Sequence, residues 1–229
     1  IIVYYLLAVV LPVDKIIAKI YPAFGASLLF MAVGLLGAML VGEANGSMHM
    51  AELTFENMHP EGLSVFPFLF TTIACGAISG FHATQSPMMA RCIDKESESR
   101  KVFFGAMVVE GIVALIWCAV TIAFFGDTFS VQAALNEYGG QSGVVGMLSK
   151  ELLGPVGAVL AVLGVVACPI TSGDTAFRSA RLTIADAFKI KQETLLDRFK
   201  LAIPLFVICI GLTTIDFNII WRYFAWSNQ

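Results

Sequence analysis

Ile73-Ala74-Cys75-Gly76-Ala77-Ile78-Ser79-Gly80-Phe81-His82-Ala83-Thr84-Gln85-Ser86-Pro87 lies inside an uncharged run, residues 63–90, that is long enough to cross a bilayer. Within that run it gathers groups that a lipid-facing helix avoids: two glycines, a proline, hydroxyls, an amide and an imidazole. Pro87 lacks an amide hydrogen and Gly80 is conformationally free, which favours a helix that unwinds somewhere between them. Backbone groups released at membrane depth must meet protein, water or ligand, so the stretch points to a binding site built on a discontinuous helix. The competing structural reading is a close helix contact made by Gly76 and Gly80, with His82 hydrogen-bonded to a neighbouring helix.

The rest of the chain is as apolar as that run. Hydrophobic residues make up 58% of 229 and charged residues 14%, with mean hydropathy +0.82. The charged share is roughly half that of soluble domains, which makes this an all-α integral membrane protein, a polytopic helical bundle with lipid as its surroundings. A net charge of -3 and the lack of a basic tract with interleaved aromatics exclude nucleic acid as a partner. The five cysteines form no CxxC pair and read as small hydrophobes, and neither a metal nor a cofactor is expected. The chain begins Ile1-Ile2-Val3-Tyr4-Tyr5 and closes on Trp226-Ser227-Asn228-Gln229, so it is expected to be a single transmembrane domain, 1–229, cut at both ends.

Working outward from 63–90, a partial span is expected at 1–13 and full spans at 24–42, 63–90, 102–125, 154–177 and 201–220, the fourth being uncharged as far as 173. Gly34 and Gly37 are read as close-packing positions in the first full span. Residues 127–153 suit short helices on the membrane surface. Twelve of the fourteen Lys and Arg fall in the loops 14–23, 91–101 and 178–200, which the positive-inside rule assigns to the cytoplasm. The acidic segments 43–61 and 127–153 then face outward.

Counting inward from the loop charges, His82 stands nine residues before Arg91 and Glu110 nine after Lys101. At ~1.5 Å per residue both lie about 13 Å into a core ~30 Å thick, on consecutive spans, so they are expected to face one another. Burial raises a carboxylate pKa and lowers that of histidine, which suits proton coupling; the plainer reading is a Glu110 that only bridges helices. Thr171, Ser172 and Thr175 offer oxygens of the type that a hard cation such as Na⁺ prefers, or hydroxyls that cap their own helix carbonyls. Asp174 is read as a solvated helix-end partner of Arg178 at i+4. Asp216 is given no role. No nucleophile, metal set or nucleotide-binding loop accompanies these groups, so the chain is not expected to be an enzyme.

Residues 72–91, with 168–181 (Cys168-Pro169-Ile170-Thr171-Ser172-Gly173-Asp174-Thr175 onward) and 221–229 (Trp221-Arg222-Tyr223-Phe224-Ala225-Trp226), resemble three ordered signatures of the carbon starvation protein A family. The resemblance covers most of the chain from about residue 66. It implies a bacterial inner-membrane secondary transporter that imports peptides during carbon starvation by alternating access, with proton-coupled pyruvate uptake as the alternative and H⁺ or Na⁺ as the coupling ion. It also implies part of an inverted-repeat core of the amino acid-polyamine-organocation superfamily, similar to the leucine transporter, with 63–90 as a broken helix. Gly76, Ser79, Gly80, His82, Gln85 and Ser86 are then expected to contact substrate or form the hinge. Glu110 with His82 is expected to carry the proton, and Thr171, Ser172 or Thr175 to hold a cation. The partner helix lies outside these residues, the oligomeric state is open, and a transporter-like membrane sensor remains a rival.

Overall fold

The computed structural model describes residues 14–50, 52, 54–67, 69–70 and 80–227, and of 14–21, 80–84, 165–169, 171, 217–218, 222 and 225–226 it describes the backbone alone. Among the described residues every regular element is helical. In chain order the α-helices are α1 (Asp14–Ala44), α2 (Gly80–Ala90), α3 (Ala106–Phe125), α4 (Thr128–Glu137), α5 (Gln141–Ala187), α6 (Leu195–Leu212) and α7 (Phe217–Ser227). A single 3₁₀ turn (Glu96–Glu98) and a π-helical turn (Arg100–Gly105) lead into α3. Three segments are long and apolar enough to cross a membrane: Pro22–Ala44, Glu96–Phe125 and Gln141–Gly164.

The chain divides into two compact units, and one of them comprises Ile17–Ser64 and Arg100–Pro169. Its core is a seam of Met31, Leu35 and Met39 on α1, one helical turn apart, against Val120 and Ala123 of α3 and Ala161 of α5. The opposite face of α1 leaves Phe30, Val33, Leu40 and Val41 exposed, as suits a helix that meets lipid. A Cβ on Gly34 would stand 3.1 Å from the Leu153 side chain, so that glycine lets α1 and α5 approach. Gly37 differs from the expectation: its Cβ would meet nothing within 4 Å, because it lies off the packed seam.

α5 is bent at Gly154, whose φ of 64° and ψ of -151° only glycine adopts without strain. The cause is local. Pro155 supplies no N–H to the helix and restricts the residue before it, so the first part of α5 ends where the expected fourth span begins. The bend brings the Ser149 carbonyl and the Leu153 side chain over Gly157. Before it, Ala134 of α4 packs on Val144 and Leu148 of α5. α4 is a short helix as expected, whereas 141–153 differs from the expected short surface helix because it opens Gln141–Gly164, which is long and apolar enough to cross a membrane. Asp127 starts α4 by accepting the Ser130 N–H at 2.7 Å, and the Thr128 hydroxyl donates to the Met58 carbonyl at 2.6 Å, tethering the acidic segment to it.

The other unit comprises Ile1–Ile16, Val65–Ser99 and Ile170–Gln229. Here α6 falls short of the expected span 201–220, ending at Leu212. The Thr213 and Thr214 hydroxyls donate back to the Ile210 and Gly211 carbonyls, closing the last turn, and the Asp216 carbonyl accepts from Ile219 and Ile220 to begin α7. Since α6 also opens with Asp197, Arg198 and Lys200, only its latter part is free of charge. Phe206 of α6 stacks on Phe177 of α5 with ring centroids 4.6 Å apart.

Two outcomes follow from this geometry. Gly157→Ala drives a methyl into backbone and costs about 1–3 kcal/mol of stability, read as a lowered Tm in detergent, whereas Gly37→Ala, in open space, leaves Tm unchanged or slightly raised. The Ser130 N–H bond to the ionised Asp127 carboxylate holds its pKa below the ordinary value, so the stabilisation is complete above about pH 4 and is lost as pH falls through the lower folded pKa. An acid titration of Tm loses that step in Asp127→Ser, which keeps the cap without the charge.

Candidate functional site

α2 is helical across the whole of Gly80–Ala90, with Pro87 inside it. The expected unwinding between Gly80 and Pro87 is therefore absent. Pro87 forfeits one bond, to the Ala83 carbonyl, and neighbouring groups in a bundle can meet a single freed carbonyl without the helix opening. Gly76 and Ser79 lie outside the described residues, as do the side chains of His82 and Thr171.

What α2 does place is Gln85. It is buried, 8% exposed, and its side-chain Nε2 donates to the Thr175 main-chain carbonyl of α5 at 3.2 Å. A helical carbonyl has a second lone pair beyond its own i+4 bond, so Thr175 accepts without breaking α5. Two stretches ninety residues apart are joined at a polar point. Ser86, the next residue, is exposed, so the two neighbours divide between an internal contact and an open surface.

On α5, Ser172, Thr175 and Ser179 fall on one helical stripe, and Asp174, Arg178 and Arg181 on the adjoining one. Ser179 is fully buried and Ser172 exposed. Asp174 is buried, 8% exposed, and lies well inside α5. Its partner is Arg178 Nη2 at 3.4 Å, so the pairing is as expected and its setting is corrected. α5 continues to Ala187 and leaves no helix end at 174 to solvate the carboxylate. Enclosing a carboxylate is costly, and the Arg178 guanidinium offsets that cost. Its burial had no sequence signal, because an i,i+4 pair reads the same on a wet face.

Glu110 sits on α3 in the other unit and is exposed on that helix. Among the described residues no His, Cys, Asp and Glu cluster could hold a metal ion. The assembled element is thus a polar seam between α2 and α5, Gln85 to Thr175 with the Asp174–Arg178 pair alongside. It brings amide, hydroxyl and carboxylate groups to a region of otherwise apolar helices.

Residues 1–148 match the family model described as carbon starvation protein CstA. The match takes in 72–91 and also the first 65 residues, where the resemblance was weakest, and ends before 168–181 and 221–229. A Haemophilus influenzae relative described as an uncharacterized membrane protein is 45% identical over 148 residues, 58% of this chain and 40% of its own length. The peptide transporter CstA of Helicobacter pylori is 56% identical over 54 residues, 23% of this chain and 8% of its own. The pyruvate/proton symporter BtsT of Escherichia coli is 33% identical over 119 residues, 46% of this chain and 17% of its own. The chain spans less than half the length of each of these relatives. No solved structure matches.

The seam makes its own prediction. Arg178→Ala removes the guanidinium bonded to the Asp174 carboxylate and lowers stability by about 1.5–3 kcal/mol, while Asp174→Asn with Arg178→Gln, which removes both charges, recovers most of it. Equal Tm losses in the single and double variants would show that the pair is not coupled.

Proposed function

As the chain belongs to the carbon starvation protein CstA family, we propose that it forms part of a secondary transporter that imports peptides across the bacterial inner membrane by alternating access. The observation that carries the reading is the Gln85 amide bonded to the Thr175 carbonyl beside a buried Asp174. Polar groups at such a position are costly in a membrane, and a substrate path is the usual reason for them. Gly76, Ser79, Gly80, His82 and Ser86 complete the substrate-binding or hinge set in this reading. The main-chain N–H groups of a discontinuous helix then meet a substrate carboxylate.

Coupling is assigned to Glu110 and His82 for a proton, with Thr171, Ser172 and Thr175 as the oxygen set for a cation. A second reading, proton-coupled uptake of pyruvate, is favoured by the similarity to the Escherichia coli symporter. The two substrates share a carboxylate, which one helix-end site can bind. The proposed fold is part of an inverted-repeat core, its basic loops on the cytoplasmic side.

Uptake into proteoliposomes of labelled dipeptide and labelled pyruvate, each under an imposed pH or Na⁺ gradient, distinguishes these readings. Dipeptide accumulation driven by one gradient is the expected result; pyruvate accumulation driven by protons alone would establish the second. Glu110→Gln is expected to slow proton-driven uptake about tenfold or more and to flatten its pH profile. An unaltered rate and profile would remove Glu110 from the coupling role.

A further inference from the structure

The corner where α5 meets α6 carries chemistry that the transport seam does not use. Arg181 of α5 and Arg198 of α6 lie within electrostatic reach of one another, with Arg178 nearby. Asp174 is already engaged by Arg178, and Asp197 by Thr194 and Lys200. Among the described residues no ion pair joins Arg181 or Arg198 to a carboxylate. The Arg181 Nη1 is buried with no hydrogen-bond partner, and the Gln192 side-chain oxygen in the connecting segment is in the same state. Arg198 Nε donates to the Gln192 carbonyl at 3.3 Å, which ties that segment to α6. Burial, and then the charges of Arg198 and Arg178, hold the Arg181 guanidinium below its ordinary pKa against the opposing pull of the Asp174 carboxylate. Two like charges beside an unmet donor are costly, and Asp174, bonded to Arg178, offsets them only in part.

The surroundings indicate which anion. Phe188 and Leu196 are each 73% exposed and Leu195 is 48% exposed, alternating with Lys189, Lys191 and Lys200. Exposed apolar side chains among basic ones are the pattern of a segment lying at a lipid headgroup boundary. These residues also belong to the most basic loop of the chain, which holds six of its fourteen Lys and Arg.

We propose that Arg181 and Arg198 form a binding site for the phosphate of an anionic phospholipid headgroup, with Phe188, Leu195 and Leu196 set against its acyl region. The guanidinium groups hold the phosphate oxygens by charge-assisted hydrogen bonds. A bound lipid would thereby brace the α5–α6 connection.

The test uses the full-length protein in phosphatidylcholine vesicles with increasing phosphatidylglycerol, read as thermal stability and as phosphatidylglycerol retained on native mass spectrometry after delipidation. Phosphatidylglycerol is expected to raise Tm and to co-purify. Arg198→Gln and Arg181→Gln each weaken its apparent affinity about tenfold, one charge-assisted bond lost, whereas Lys191→Gln costs less than about fivefold. Should Arg181→Gln fail to fold, Arg198→Gln and Arg181→Lys carry the comparison. Equal responses to the zwitterionic and anionic vesicles, wild-type affinity in the arginine variants, or full stabilisation by inorganic phosphate without lipid would each overturn the proposal.

Discussion

Hydrocarbon offers no partner to a polar group, and the described helices are arranged around that constraint. Hydroxyls within them turn back on their own backbone: Thr121 donates to the Trp117 carbonyl at 2.7 Å and Ser27 to the Ala23 carbonyl at 2.9 Å. Where a side chain is too long or too charged for that, a second group supplies what is missing. Gln85 reaches across to Thr175, and Asp174 finds Arg178 one turn along. The polar seam is therefore first of all a consequence of the solvent.

Packing in the unit that contains most of α1 follows a related logic. Lipid tails are as apolar as leucine, so burial gives little preference for one helix contact over another, and close approach has to supply it. Met31, Leu35 and Met39 form the seam, while Gly34 and Gly164 remove the side chains that would hold the helices apart: a Cβ at Gly164 would stand 3.0 Å from Leu28. The Gly154-Pro155 bend then redirects α5.

Much of this was legible beforehand, for reasons that can be named. Spans announce themselves because some twenty consecutive residues must be uncharged, and 24–42 and 102–125 coincide with helices long and apolar enough to cross a membrane. Breaks were harder to place. Pro87 was expected to open α2 and does not, whereas α6 was expected to continue past Leu212 and is stopped by two threonines and an aspartate whose composition is compatible with a span. Gly37 looked identical to Gly34 in sequence, and only the neighbouring helix tells them apart.

The same division separates the site residues. By itself the sequence determined the solvent the chain lives in, its helical class, the family likeness and the types of group gathered near Gln85 and Asp174, because each of these rests on composition or on spacing along one helix. The tertiary structure decided that Gln85 turns inward while Ser86 faces out, that Asp174 is enclosed, and that Arg181 has a buried donor with nothing to bond. Those are properties of which helix stands opposite, and the apposition of α2 with α5 joins residues ninety positions apart, a distance over which no local periodicity carries information.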